Sequence, residues 1–219
     1  MKLANKSTLI VGKNHTGKST FVKEIILAPY VKKNKAYIIV ACSNDSKTFR
    51  GANTLYFDAR DGTFKSSITK KVFPSIEDAM KEYKKQIVVY FNTHSIVDLD
   101  YYQCFKELSK SLLNIRNCLL VFDDVRSVTS KRGNSALKAM LVDFRHKKQN
   151  CVFVYHSLND IHVDLITHFD YLVLFRTNDS EDNLNKAVGR WKKYKMDVDK
   201  TSKVTNNQHY YNIYDISDN

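Results

Sequence analysis

Short apolar runs alternate with longer amphipathic stretches along this chain. Thr8–Val11, Ala36–Ala41, Thr54–Phe57, Ile87–Phe91, Cys118–Phe122, Cys151–Tyr155 and Tyr171–Phe175 are built mainly from Val, Ile, Leu, Phe and Tyr, mostly without polar alternation. Runs of that length and composition are expected of strands covered by helices on both faces, as in a parallel sheet. The intervening stretches carry helical spacing. Leu99–Asn114 places Tyr102, Phe105, Leu108 and Leu112 on one face, and Asn134–Lys147 repeats the pattern with Leu137, Met140, Leu141 and Phe144. Lys18–Leu27 reads as a helix stopping before Pro29. Ser75 can cap Ile76–Lys85, with Asp78 three residues on, close to a capping box. Ile161–His168 makes one or two turns. The alternation predicts an α/β protein whose mainly parallel central sheet is flanked by helices on both faces.

After Arg176 the chain turns polar and charged. A helix is expected at Asn183–Tyr194 and a tyrosine-rich strand at His209–Ile216. Residues 177–219 thus read as a helix plus an edge strand returning to the same sheet, and residues 1–219 as one domain.

Composition narrows the classes. With 219 residues, 43% hydrophobic and 26% charged, the chain can bury a core, and six Gly and two Pro leave little room for flexible linkers. The longest apolar stretches run five to seven residues, against roughly 20 for a bilayer span. The N-terminus has no apolar signal core. A soluble, intracellular protein is expected. Cys42, Cys104, Cys118 and Cys151 lie far apart with no C-x-x-C spacing, which favours buried reduced thiols over a zinc site. Thirty-five Lys+Arg against 23 Asp+Glu give a net charge of +12. That balance favours polyanions, nucleic acid or an anionic membrane face, although abundant lysine also reads as a merely solvated basic surface.

Two motifs carry chemistry. The first is Gly12-Lys13-Asn14-His15-Thr16-Gly17-Lys18-Ser19, set between an apolar strand and a helix and followed by Thr20. Its glycines permit a tight turn that aims backbone N–H groups at phosphate oxygens, on a helix N-terminus whose dipole favours anions. Lys18 would reach the β/γ oxygens and the Ser19 hydroxyl would ligate Mg²⁺. The reading is an ATP- and Mg²⁺-binding P-loop over residues 12–20.

The second is Cys118-Leu119-Leu120-Val121-Phe122-Asp123-Asp124, a buried strand ending in two carboxylates. Asp123 would stand beside the Mg²⁺ water shell, and Asp124 would orient or deprotonate the attacking water. The run Ile87–Phe91 falls between the P-loop helix and this acidic strand, and Cys151–Tyr155 follows it and ends in His156-Ser157. That order belongs to the additional-strand (ASCE) division of P-loop NTPases, of RecA/FtsK-like type, and argues against small GTPases and nucleotide kinases. A polar residue ending the strand after the acidic one can contact the γ-phosphate or its water, and His156 is the candidate.

With these motifs in place, the sequence resembles the FtsK/HerA superfamily, above all the minimal viral genome-packaging ATPases of poxvirus and tectivirus type and the Zot-like proteins. The P-loop, Leu119–Asp124, and Asp143-Phe144-Arg145-His146 through Cys151–Ser157 into Ile161–Phe175 carry the likeness. It covers most of residues 5–176 as an order of motifs. The resemblance implies a ring oligomer, a hexamer or pentamer, with ATP at subunit interfaces. The ring would pump double-stranded DNA into a capsid, in the host cytoplasm or associated with the virion, with a capsid or portal-vertex protein as a further partner. It also implies an arginine acting in trans, mapped best onto Arg145, with Arg132, Arg126 and Arg176 as fallbacks. This sequence departs from the family in having Asp124 where Glu is usual and His156 where Gln is usual; both changes imply slow turnover.

A pumping ring needs basic loops at its pore. Ser127–Asn134, with Lys131 and Arg132, can track phosphates without reading bases. Arg145–Lys148 and Arg190–Lys195 are other basic clusters. The main alternative is a nucleotide-gated adaptor or regulatory ATPase with a protein partner and weak turnover. A membrane-embedded phage-assembly ATPase is weakened by the lack of a spanning segment, and a nucleotide kinase by the lack of an obvious lid.

Overall fold

The computed structural model describes residues 6–42, 49, 53–83, 86–128, 135–147, 149–180 and 189–217. Its strands are β1 (Ser7–Val11), β2 (Ala36–Ala41), β3 (Thr54–Asp58), β4 (Thr63–Ser66), β5 (Val72–Phe73), β6 (Gln86–Phe91), β7 (Cys118–Asp123), β8 (Asn150–Tyr155), β9 (Tyr171–Phe175) and β10 (Tyr211–Asp215). They form one sheet in the order β10-β9-β1-β8-β7-β2-β6-β3-β4-β5. From β9 through to β3 every neighbour pair is parallel, while β10, β4 and β5 add antiparallel margins. The strand standing in space between the P-loop strand β1 and the acidic strand β7 is β8. The run Ile87–Phe91 falls in β6, on the far side of β2.

The absence of polar alternation in the sequence now has a physical cause: both faces of the sheet are buried. Leu9, Val11, Ile38, Val40, Leu120, Phe122, Phe153, Leu172 and Leu174 point into one apolar layer. Their neighbours Ile10, Ile39, Ala41, Leu119, Val121, Val152, Val154 and Val173 point into the other. The first layer is covered by α3 (Ile76–Glu82), α4 (Thr93–Leu112), α5 (Ser135–His146), the short α6 (Val163–Ile166) and α7 (Gly189–Val204). At its centre Phe122 stacks on Phe153 with ring centroids 4.6 Å apart, and Phe105 meets Phe122 edge-on. Truncating such a residue costs about 3–5 kcal/mol. The second layer is covered by the helix after the P-loop, through Phe21, Val22, Ile26 and Leu27.

That helix does not stop before Pro29. It runs as α1 (Lys18–Phe21), a π-helical segment (Val22–Leu27) and α2 (Ala28–Lys32). The wide turns pair N–H groups with carbonyls five residues back, as Ala28 does with Lys23, so the ring and missing donor of Pro29 are accommodated inside the helix. α4 starts earlier than expected, because Asn92 caps it by accepting from the His94 N–H, and it bends at Asp100 (φ 60°, ψ 170°). In the C-terminal segment the described helix is Gly189–Val204, which runs on past the expected end at Tyr194; the expected start at Asn183 falls outside the described residues. Its inward stripe is Trp191, Lys195, Val198 and Ser202, and two polar members of that stripe dilute the apolar signal. The expected tail strand is β10, paired antiparallel with β9. Four cysteines are buried and free. Among the described residues no helix is long and apolar enough to cross a membrane.

Candidate functional site

The parallel register brings the chemical residues to one edge. Val11 lies beside Tyr155, and Phe122 beside Phe153, so the residues leaving β1, β7 and β8 emerge together. The loop that follows β1 is fastened on both sides, its Gly12 N–H donating to the Tyr155 carbonyl (3.2 Å) and its Lys13 N–H to the Arg176 carbonyl (2.8 Å). Gly12 is required by space: a Cβ there would stand 2.5 Å from Phe175 Cβ and 2.9 Å from Thr16 Oγ1. His15 (φ 63°) and Gly17 (φ 95°) take the left-handed backbone that curls the loop. The buried Thr16 hydroxyl donates to the Lys13 carbonyl and braces the turn (2.8 Å). Gly17 begins α1 without any side-chain cap, so the first-turn N–H groups keep no internal acceptor of that kind, as an anion cradle requires.

Lys18 is only 7% exposed. Its Nζ donates to the carbonyls of Gly12 and Lys13 and lies 3.3 Å from His156 Nδ1. Burial pushes its pKa down to about 8, against the pull of Asp123 and Asp124. Asp123, the last residue of β7, is buried, and its carbonyl accepts from the Cys42 N–H (2.9 Å). Asp124 follows in the left-handed region (φ 55°). Its Oδ1 is buried with no hydrogen-bond partner among the described residues; His156 Nε2, at 3.4 Å, is too far for a good one. His156 therefore stands between Lys18 and Asp124. Burial and the Lys18 charge push its pKa down, only partly opposed by Asp124, and this holds the imidazole neutral. Beyond it, Ser157 and the Leu158 N–H bind the Asp179 carboxylate and fix the turn.

Oxygen donors of the hard type that Mg²⁺ takes are present at this edge. The Ser19 hydroxyl sits in the first turn of α1, the Asp123 carboxylate ends β7, and a buried oxygen of Asp124 lacks a partner. One or two such protein oxygens beside substrate phosphates suit this ion, so the residues fit it.

Of the remaining candidates, Lys13 and Ser19 are half-buried, Asn14 and His15 are exposed on the loop, and Thr20 is exposed in α1. Arg126, on the 3₁₀ turn Val125–Val128, adds positive charge near His156 and Asp160. Arg176 is beside Lys13. Two of the three fallback arginines are thus next to this chain's own site. Arg145 is in the last turn of α5, which leads into the opposite end of β8, one strand length or about 17 Å from His156. The chain does not bring Arg145 to its own P-loop. Lys131 and Arg132 fall outside the described residues, as does the side chain of Arg145.

Sequence reasoning missed one neighbour. His209 packs over Gly17, its Nδ1 3.3 Å from where a Cβ would stand, and Tyr211 lies edge-on against Phe21 with centroids 4.8 Å apart. Nothing in the local sequence marks these contacts, which join the two ends of the chain.

No protein-family model and no curated protein matches the sequence. Solved structures do match. The genome packaging NTPase B204 from Sulfolobus turreted icosahedral virus 2, in complex with AMP, superposes with a TM-score of 0.62 at 18% identity, covering 99% of this chain and 94% of that one. Its complex with ATP-gammaS gives 0.59 at 16% identity, with coverage of 99% and 94%. The DNA-packaging ATPase B204 from Sulfolobus Turreted Icosahedral Virus gives 0.60 at 16%, with coverage of 97% and 93%. This chain shares the P-loop fold of these NTPases.

Proposed function

We propose that this chain is an Mg²⁺-dependent ATPase that translocates double-stranded DNA, in the manner of a viral genome-packaging motor. The observation that carries the reading is the convergence of Lys18, Asp123, Asp124 and His156 at one edge of a sheet whose inserted strand is β8. The loop N–H groups and α1 hold the triphosphate, and Lys18 leaves its carbonyl partners for the β/γ oxygens. Mg²⁺, held through Ser19 and Asp123, neutralises charge on those oxygens when bound. Asp124 accepts a proton from the attacking water as the water oxygen bonds to the γ-phosphorus and the bridging oxygen leaves with ADP. His156, neutral and set between Lys18 and Asp124, hydrogen-bonds the γ-phosphate or that water.

Arg145 serves a neighbouring subunit in a ring, a hexamer or pentamer. Its place at the opposite edge, and the active-site charge it would neutralise, both favour action in trans over action in cis. Lys131 and Arg132 meet the phosphates of the duplex, consistent with the net charge of +12. Residues 1–219 act as one unit that works in the host cytoplasm or on the virion, against a capsid or portal-vertex protein. The genome-packaging NTPase neighbours support the reading.

One observation favours a second reading. The short Asp124 carboxylate already lies within 3.4 Å of His156, which suits slow turnover in a nucleotide-gated adaptor with a protein partner. ATP turnover by the purified protein, with and without long duplex DNA, separates the two. The motor reading expects stimulation by DNA that falls steeply with salt, and loss of turnover by at least about 100-fold in Lys18→Ala. Turnover indifferent to DNA selects the adaptor, and full activity in Lys18→Ala removes the P-loop assignment.

A further inference from the structure

The γ-phosphate end of the nucleotide is oriented by the charges on one flank of the P-loop, since Asp123, Asp124 and His156 all leave β7 and β8. The nucleoside must therefore leave by the other flank, toward β9 and β10. A cavity of about 490 Å³ opens there, lined by Arg176, Ser202, Lys203, Asn206 and Gln208. Two of its walls are tied to the phosphate loop. The Arg176 carbonyl accepts from the Lys13 N–H (2.8 Å), and Gln208 precedes His209, whose ring packs on Gly17. We infer that this cavity takes the adenosine half of ATP, so that residues 202–209 and Arg176 form a nucleoside site built from the C-terminal segment; this rests on the P-loop reading above.

The chemistry of the walls fits a base and a sugar better than a further polyanion. The amides of Asn206 and Gln208 each offer a donor and an acceptor, matching the mixed edge of adenine and the ribose hydroxyls. The Ser202 hydroxyl donates to the Asn207 carbonyl (2.7 Å) and keeps its lone pairs as acceptors. The planar Arg176 guanidinium can stack on a purine face, and the Lys203 ammonium can donate to a purine nitrogen or a ribose oxygen. A volume of a few hundred Å³ suits a nucleoside.

The walls are also held in place. β10 pairs with β9, Tyr211 packs against Phe21 and Phe175, and Tyr214 stacks on Tyr194 with centroids 3.9 Å apart. The turn 206–209 is thus clamped between α7 and the P-loop helix. A site prepared in this way loses little entropy when the ligand arrives.

The test is calorimetric binding of Mg-ATP and of Mg-tripolyphosphate to the full chain, for the wild type and for the Lys203→Ala/Gln208→Ala variant. Both positions are on the surface, and a thermal melt checks that the variant folds. The wild type should bind ATP at least about 10-fold tighter than tripolyphosphate, and the variant should lose about 10-fold for ATP alone. Unchanged ATP affinity in the variant overturns the nucleoside site while leaving the P-loop reading intact. Equal losses for both ligands also overturn it, because the residues would then act on phosphate or on the fold. A wild type that binds tripolyphosphate and ATP equally rejects the nucleoside site alone, and one that binds neither rejects the P-loop reading with it.

Discussion

Two polar clusters crown the carboxyl ends of parallel strands in this molecule, and they are finished to different degrees. At the end of β3, Asp58 accepts from Arg60 Nε (2.9 Å) and Nη2 (2.6 Å), Ser95 Oγ (2.7 Å) and Asn92 Nδ2 (3.0 Å). The Ser95 hydroxyl also receives the Ala59 N–H. These donors, led by Arg60, hold the Asp58 carboxyl well below the usual carboxylate range. At the ends of β7 and β8 the counterparts are left incomplete. Lys18 leans on loop carbonyls, Asp124 has a strained backbone and a buried oxygen without a partner, and His156 is at long range from both. A satisfied cluster fixes the fold, whereas unspent hydrogen-bonding capacity in a buried place is retained for something that arrives later. The contrast, more than the residue types, separates a strut from a site.

The largest effect that would sharpen this contrast is chemical. Asp124→Asn keeps the size of the side chain and removes its basicity. Turnover should fall about 100-fold to 10,000-fold, with ATP affinity within a few-fold of wild type. Single-turnover hydrolysis and equilibrium binding measured together check it, and a parallel loss of binding would return Asp124 to a structural role.

A smaller effect, on stability, is expected at the other cluster. Asp58→Ala strands Arg60, Ser95 and Asn92 and should cost about 2 kcal/mol in urea unfolding. Turnover per folded molecule should be unchanged. Lost turnover at full stability would erase the distinction between the clusters.

The smallest effect is a titration. With its folded pKa near 8 against an ordinary 10.5, Lys18 binds fewer protons in the free protein than in the unfolded chain between those values. Stability of the free protein therefore gains from this group as pH rises through that window, while ATP affinity falls with the ammonium, by about 10-fold between pH 7 and 9. Asp58 behaves oppositely: its contribution is present above the ordinary carboxylate pKa near 4 and is lost only as pH falls through its much lower folded value. Binding isotherms, with thermal melts carried from about pH 2 to about pH 10, read both signs.

Much of this was legible from the sequence because it rests on local order. Strand runs such as Cys118–Phe122 and Tyr171–Phe175 carry their own signal, since a strand buried on both faces must be apolar at every position. The P-loop is readable for the same reason: Gly12 and Gly17 sit where a Cβ would collide or the backbone turns left-handed. What failed to show were features decided at long range. β4 and β5 are short, half-exposed margins whose pairing supplies the order their residues do not. The helix continues past Pro29 behind a π-helical segment whose Val22, Ile26 and Leu27 lie in the same apolar layer as Ile39 and Val88, and local propensity argues against it. That β8 rather than β6 is the inserted strand, and that His209 touches Gly17, are facts of topology that no window of sequence contains.

The position of β1 has a consequence for how the molecule is made. Its partners on both sides, β8 and β9, begin at Asn150 and Tyr171. On a ribosome adding about 5–20 residues each second, the strand that carries the phosphate loop emerges long before either neighbour and then waits several seconds or more for one. The nascent chain can build β2, β6 and β7 into a partial sheet, but the loop after β1 has nothing to hold it until β8 and β9 leave the exit tunnel. A loop held on both sides thus becomes available only once β9 has been made, and a copy interrupted before that point is a chain that cannot yet fire.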